Sequence, residues 1–173
     1  MVLGRQARSH ALTATHEHYL RAIWQVRARR GYARLVDVAR ALGVASPTAS
    51  VGIRPLEARG LVTHDDQRFL LLTPAGERIA REVHHRFAVV YAFLHDVLGI
   101  PEKAALAEAC LLEHGVSAGT TERLLDFMKL MRADRPLRKL FQQRFAAYHR
   151  DCGPSDSCST CDLACMGDVR PPA

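Results

Sequence analysis

Apolar side chains recur at helical spacing through Tyr19, Ile23, Trp24 and Val26, with a threonine at 13 or 15 as a cap. This predicts a first helix that closes at Gly31. Residues 35–42 are apolar at 35, 36, 38, 39, 41 and 42 and predict a short second helix, followed by a tight turn at Gly43-Val44-Ala45. Ser46 as cap and Pro47 at the first helical position then open a third helix, which runs to Arg59 and stops at Gly60. Helix, short turn, helix is the spacing of a helix-turn-helix.

Two apolar strands follow, 61–64 and 69–72, joined by Asp65-Asp66-Gln67-Arg68, a hairpin of the size called a wing. Thr73-Pro74 opens a helix expected to continue to Leu98, where Gly99-Ile100-Pro101 breaks it. Helices are expected over about 102–114, 120–132 and 136–149, and from Asp151 the chain turns to Cys, Gly, Pro, Ser and Asp without periodicity. The expected fold is mainly α. A winged helix-turn-helix over 1–75 precedes an all-α dimerisation domain over 76–150 and a Cys-rich tail over 151–173. Leu106, Leu111, Leu112, Leu124, Leu125, Phe127, Leu130 and Met131 exceed what so small a helical unit buries alone, which points to a homodimer.

The 48% apolar and 24% charged composition is ordinary for a packed protein. Uncharged apolar stretches such as 88–94 fall far short of the roughly 20 residues of a membrane span. The basic start has no apolar core region behind it, so a cytoplasmic protein outside the membrane is expected. Charge distribution says more than the net +6. The first 60 residues hold ten arginines against Glu17, Asp37 and Glu57, a balance of +7, while the other 113 carry 14 basic and 15 acidic side chains. All the excess positive charge thus accompanies the helix-turn-helix, as a phosphate-facing module requires. The expected partner is double-stranded DNA with a pseudo-palindromic operator, and a DNA-binding regulator rather than an enzyme is expected.

A recognition helix needs small or hydrogen-bonding residues on its first turns, to let the backbone approach the major groove. Ser46, Pro47, Thr48 and Ser50 supply them; Arg54, Arg59 and Arg68 are placed for phosphates. Pro55 conflicts with this. It removes the hydrogen bond to the Val51 carbonyl at a cost of about 3 kcal/mol, and with Gly52 nearby the second half of the helix is expected to be irregular.

The runs Thr15-His16-Glu17-His18-Tyr19-Leu20, Gly31-Tyr32-Ala33-Arg34-Leu35-Val36-Asp37-Val38-Ala39, Ser46-Pro47-Thr48-Ala49-Ser50, Leu56-Glu57-Ala58-Arg59-Gly60-Leu61-Val62 and Leu72-Thr73-Pro74-Ala75-Gly76 carry a combined signature. Together they resemble the iron- and manganese-dependent repressors of the diphtheria toxin repressor family, over about residues 13–132. The resemblance implies that a metal joins the first helix to the helical domain, which makes 76–150 metal-sensing as well as dimerising. The matching residues are His18, where relatives place Met or Asp, and Cys110, Glu113 and His114. These last three stand at i, i+3 and i+4, on one helix face. A set that includes sulfur suits Fe(II), Ni(II) or Zn(II) better than Mn(II). Arg21 replaces the Glu of manganese-type relatives, and Phe87 and Tyr91 replace the His and carboxylate of an ancillary site; His84 and His85 are out of register. In the alternative reading, Arg21 pairs with Glu113 in place of a metal and Cys110 is a small buried residue.

Cys152, Cys158, Cys161 and Cys165 are spaced C-x5-C-x2-C-x3-C, which in a cytosolic chain favours a metal over disulfides. Their last three match part of a bacterial ferredoxin run without its following Pro, so an iron–sulfur cluster and a zinc ion are both candidate occupants. Two further functional readings stay open: an iron–sulfur or redox-sensing winged-helix regulator, and a cluster-carrying protein that does not bind DNA.

Overall fold

The computed structural model describes residues 12–151, with side chains to residue 147. Helix α1, Ala14–Arg30, opens on a reciprocal cap: the Thr13 hydroxyl accepts from the His16 amide at 3.3 Å and His16 Nδ1 accepts from the Thr13 amide at 3.4 Å. It closes on Gly31 at φ 81°. Helix α2, Leu35–Leu42, ends at Gly43, and α3 spans Ser46–Ala58. Ala49, Ile53 and Leu56 form the buried face of α3.

Two expectations about α3 need correction. Its cap is Ala45, whose carbonyl already accepts from the Ala49 amide at 3.0 Å, so Ser46 lies inside the helix and no side chain caps it. The helix also continues without interruption through Pro55 to Ala58. The carbonyl that Pro55 leaves without a donor belongs to Val51, on the exposed face of the helix. Nor is Gly52 a weak point. A Cβ there would collide with the Tyr19 ring, so the glycine is what lets α1 and α3 approach.

Strands β1, Val62–His64, and β2, Leu70–Leu72, pair antiparallel with Val62 opposite Leu72. Each is one residue shorter than expected. The Leu61 carbonyl accepts from the Thr73 amide outside the ladder, and Phe69 belongs to the turn, where its amide donates to Asp65 Oδ1 at 2.8 Å. Arg68 takes a left-handed conformation at φ 61°. These elements close one core, built on Leu20, Ile23, Val38, Ile53, Leu56 and Leu70.

Helix α4, Pro74–Ala92, gives way to a π-helical turn over Phe93–Val97, in which the Leu98 amide bonds the Phe93 carbonyl five residues back. Helix α5 covers Glu102–Leu112, two residues short of the expected His114. Glu113 keeps helical dihedrals and donates its amide to Ala109 at 3.1 Å, so the face carrying Cys110 extends past the end of the regular helix. A second core gathers Val90, Leu94, Ala105 and Ala109, with Phe87, Tyr91, Leu98, Ile100 and Val116 against it.

Helix α6, Ala118–Ala133, starts two residues early because the Ser117 hydroxyl takes the Thr120 amide; α7 is Arg135–Asp151. The chain divides into two compact units, one to Asp126 and one from Phe127. In the second, the Phe127 ring meets Phe141 edge-on at 6.1 Å and Phe145 stacks on Phe141 at 5.6 Å. Among the described residues no helix is long and apolar enough to cross a membrane.

Candidate metal centre and nucleic-acid face

Helix α1 turns its apolar stripe into the winged-helix core, which leaves Glu17, His18 and Arg21 on a flank that meets the end of α5. His18 Nε2 and His114 Nε2 face each other at 2.7 Å, and Cys110 Sγ lies 3.4 Å from His18 Nε2. Glu113 Oε1 is 3.9 Å from His18 Nε2 and 3.6 Å from His114 Nε2. Ligand atoms of His18, Glu113 and His114 all fall within 4.8 Å of one another. His18 on α1 thus meets Glu113 and His114, more than 90 residues further along the chain, in one cluster, and Cys110 Sγ lies beside its His18 edge.

Around them stands a shell of charges. Glu17 Oε2 accepts from His114 Nδ1 at 2.9 Å and from Arg86 Nη2 at 3.0 Å, which turns His114 Nε2 toward the donors. Arg21 places Nη1 3.3 Å from Glu113 Oε1 and Nη2 3.3 Å from Cys110 Sγ, with its guanidinium 4.3 Å over the Phe87 ring. Phe87, Tyr91 and His95 continue as a near-parallel stack. His84 packs against Trp24 at 4.7 Å and meets Gln25 at 3.4 Å.

Burial, then His114 and Arg21, lowers the His18 pKa, which favours the neutral imidazole. Burial raises the Glu113 carboxyl against the pull of His114, Arg21 and Arg86. Burial followed by Arg21 and His85 lowers His84. Glu113 is 0% exposed, yet its Oε2 has no hydrogen-bond partner; the nearest cation, Arg86 Nε, stands 3.9 Å away. An orphaned buried carboxylate oxygen is costly, and a cation is what it lacks. Two imidazoles, a sulfur and this carboxylate form a donor set that fits a divalent transition metal.

Arg86 and the orienting role of Glu17 escape sequence reading. Glu17 adjoins His18 and could have been suspected on that ground, whereas nothing near residue 86 signals a partner 69 positions away.

On the other side of the winged helix, α3 exposes Pro47, Thr48, Val51, Arg54, Pro55 and Ala58, a stripe at helical spacing. Ser46 and Ser50 are half-buried on its flanks, Arg59 is exposed at the end of the helix, and Arg68 is exposed in the wing turn. Val51, central on the stripe, was missed from sequence; the 3.6-residue period of α3 alone would have shown it. Cys152, Cys158, Cys161 and Cys165 lie outside the described residues.

A winged helix-turn-helix whose first helix shares a donor cluster with a helical module behind it defines a class, the metal-linked DNA-binding regulators. Residues 11–70 match the model of the iron dependent repressor N-terminal DNA binding domain, and 73–136 match that of the iron dependent repressor metal binding and dimerisation domain. The chain is 34% identical over 123 residues to the transcriptional regulator MntR of Salmonella typhimurium, covering 71% of this chain and 78% of that one. It is 28% identical over 119 residues to the HTH-type transcriptional regulator MntR of Lysinibacillus sphaericus, covering 69% and 85%. The solved structure of the manganese regulator SloR superposes with TM-score 0.61 at 29% identity, covering 68% of this chain and 55% of that one. The chain spans about half the length of that solved relative. It belongs to the iron-dependent repressor family of metal-responsive, DNA-binding transcriptional regulators.

Proposed function

We propose that this chain represses transcription as a homodimer, with residues 1–75 reading DNA and 76–150 sensing metal and dimerising. The carrying observation is the convergence of His18, Cys110, Glu113 and His114, because it ties the helix that underlies the DNA-reading face to the module behind it. A divalent cation held by these four residues would balance the buried Glu113 carboxylate, whose Oε2 has no partner. The sulfur and two imidazoles favour Fe(II) or another borderline ion such as Zn(II) or Ni(II) over Mn(II).

The coupling lies in the chain's own residues. His18 offers a donor and its neighbour Tyr19 reaches α3, where the ring packs on Gly52 and the hydroxyl donates to the Thr48 carbonyl at 3.4 Å. A shift of α1 that tightens the cluster therefore moves the recognition helix as well. For this to regulate, the metal must bind the DNA-competent form more tightly than the other. The exposed leucines Leu106, Leu111 and Leu112 offer an apolar face to a second copy, and the dimer sets the spacing of two recognition helices on a pseudo-palindromic operator.

Thr48 and Ser50, with Ser46 and Pro47 at the helix start, are assigned to base edges; Arg54, Arg59 and Arg68 are assigned to phosphates. Duplex binding titrated against salt tests this. Arg54→Ala should weaken selected and random DNA alike and flatten the salt slope by about one unit, whereas Thr48→Ala should weaken selected DNA far more than random DNA. Equal effects of the two substitutions would overturn the orientation.

A further inference from the structure

The Arg21 guanidinium sits where the cluster needs its cation. Glu113 Oε1, which lies within 3.9 Å of both imidazole nitrogens, is the oxygen that Nη1 contacts, and Cys110 Sγ is taken by Nη2. One planar group thus engages two of the four donor residues through two hydrogen-bonded arms. Its side chain is 11% exposed, so water screens these contacts little. The flat face of the group rests 4.3 Å above Phe87, and the Tyr91 ring stacks on Phe87 in turn, which gives the guanidinium an aromatic pedestal.

A metal ion drawn to Glu113 and Cys110 meets the positive guanidinium already hydrogen-bonded to Glu113 Oε1 and Cys110 Sγ, and like charges at this range in a buried site repel. We propose that Arg21 is a resident competitor at the metal centre: its guanidinium occupies two of the donors and must be displaced along the Phe87 face before an ion is held. This rests on the metal-responsive reading of the site. The consequence is a threshold. Every ion binds more weakly by the same factor, and hard ions that bond sulfur poorly drop below their working concentration while ions with strong sulfur and imidazole bonds remain above it. In the metal-free protein the same contacts balance the buried Glu113 carboxyl and keep the donors assembled.

The test is Co(II) titration of the full metal-free chain, read by the sulfur-to-cobalt absorption band and by competition with a chelator of known affinity. Charge-assisted hydrogen bonds of this kind correspond to about tenfold to hundredfold in an equilibrium, so Arg21→Gln should bind Co(II) tighter by at least about tenfold. Phe87→Leu keeps the hydrogen bonds and removes the aromatic face. It should tighten binding by about two- to fivefold, and it stands in if Arg21→Gln does not fold by circular dichroism. A parent that binds Co(II) with its sulfur band, beside variants that bind no tighter, would overturn the resident competitor and leave the metal-responsive reading standing. Absence of Co(II) binding in parent and variants alike would sink both.

Discussion

The two halves of α1 belong to regions built on opposite principles. On its inner face, Leu20, Ile23 and Val26 enter an apolar core in which shape carries the energy, and the cores of α2, α3 and the wing close on them. On its flank, Glu17, His18 and Arg21 enter a cluster in which charge carries the energy, with two guanidiniums, two imidazoles and a buried carboxylate oxygen that no donor satisfies. The first region is finished without any ligand. The second is balanced only in part, and that shortfall is where the proposed metal ion would act. In the proposed coupling, a single helix bearing both carries an electrostatic change at the cluster to α3 through Tyr19.

Substitutions on the two faces should separate cleanly. Leu20→Ala, at a fully buried position, should cost about 2–5 kcal/mol of stability. That loss, read from chemical denaturation of the metal-free protein, should leave the donors' chemistry untouched. Gly52→Ala should cost about 1–3 kcal/mol, because the Tyr19 ring has to move. It should also lower DNA affinity without lowering Co(II) affinity, since it strikes the contact that couples the two regions. If Gly52→Ala weakened Co(II) binding as much as DNA binding, the one-way separation of the faces would be lost. Glu17→Gln should weaken metal binding about tenfold to hundredfold, since His114 loses the carboxylate that orients it, while stability in the absence of metal changes by less than about 1 kcal/mol. Calorimetry against metal concentration, beside a denaturation curve, reads both quantities.

The difference between the regions also governs what could be read before the structure. Shape-driven elements follow local rules, so the α1 stop at Gly31, the turn at Gly43 and the antiparallel hairpin are visible in periodicity and turn residues. Two local signals misled. Ser46-Pro47 was read as cap and first position, but Val44 packs against the core and the helix starts from Ala45. Pro55 predicts an irregular second half of α3, but the helix runs through it to Ala58, and the carbonyl it deprives lies on the exposed face. The π-helical turn after α4 depends on a one-residue shift in hydrogen bonding that no side-chain pattern announces. The candidate donors were named through a family resemblance. What surrounds them was not legible in the same way: Arg86 on Glu17 and the aromatic pedestal under Arg21 are products of tertiary packing. Tyr19 against Gly52 is another, and it shows that a glycine which looked like helix weakness is a packing requirement.

In the proposed mechanism the cluster of His18, Cys110, Glu113 and His114 makes DNA binding depend on metal. The direct measurement is fluorescence anisotropy of a duplex selected by the metal-loaded chain from a random pool, titrated with the parent, His18→Ala and His114→Ala, each with and without Fe(II) under anaerobic conditions. Fe(II) should raise the parent's affinity at least about tenfold, and both variants should bind weakly in either condition while remaining dimers by sedimentation. Equal affinity of the parent with and without metal, or an undiminished metal response in both variants, would contradict it.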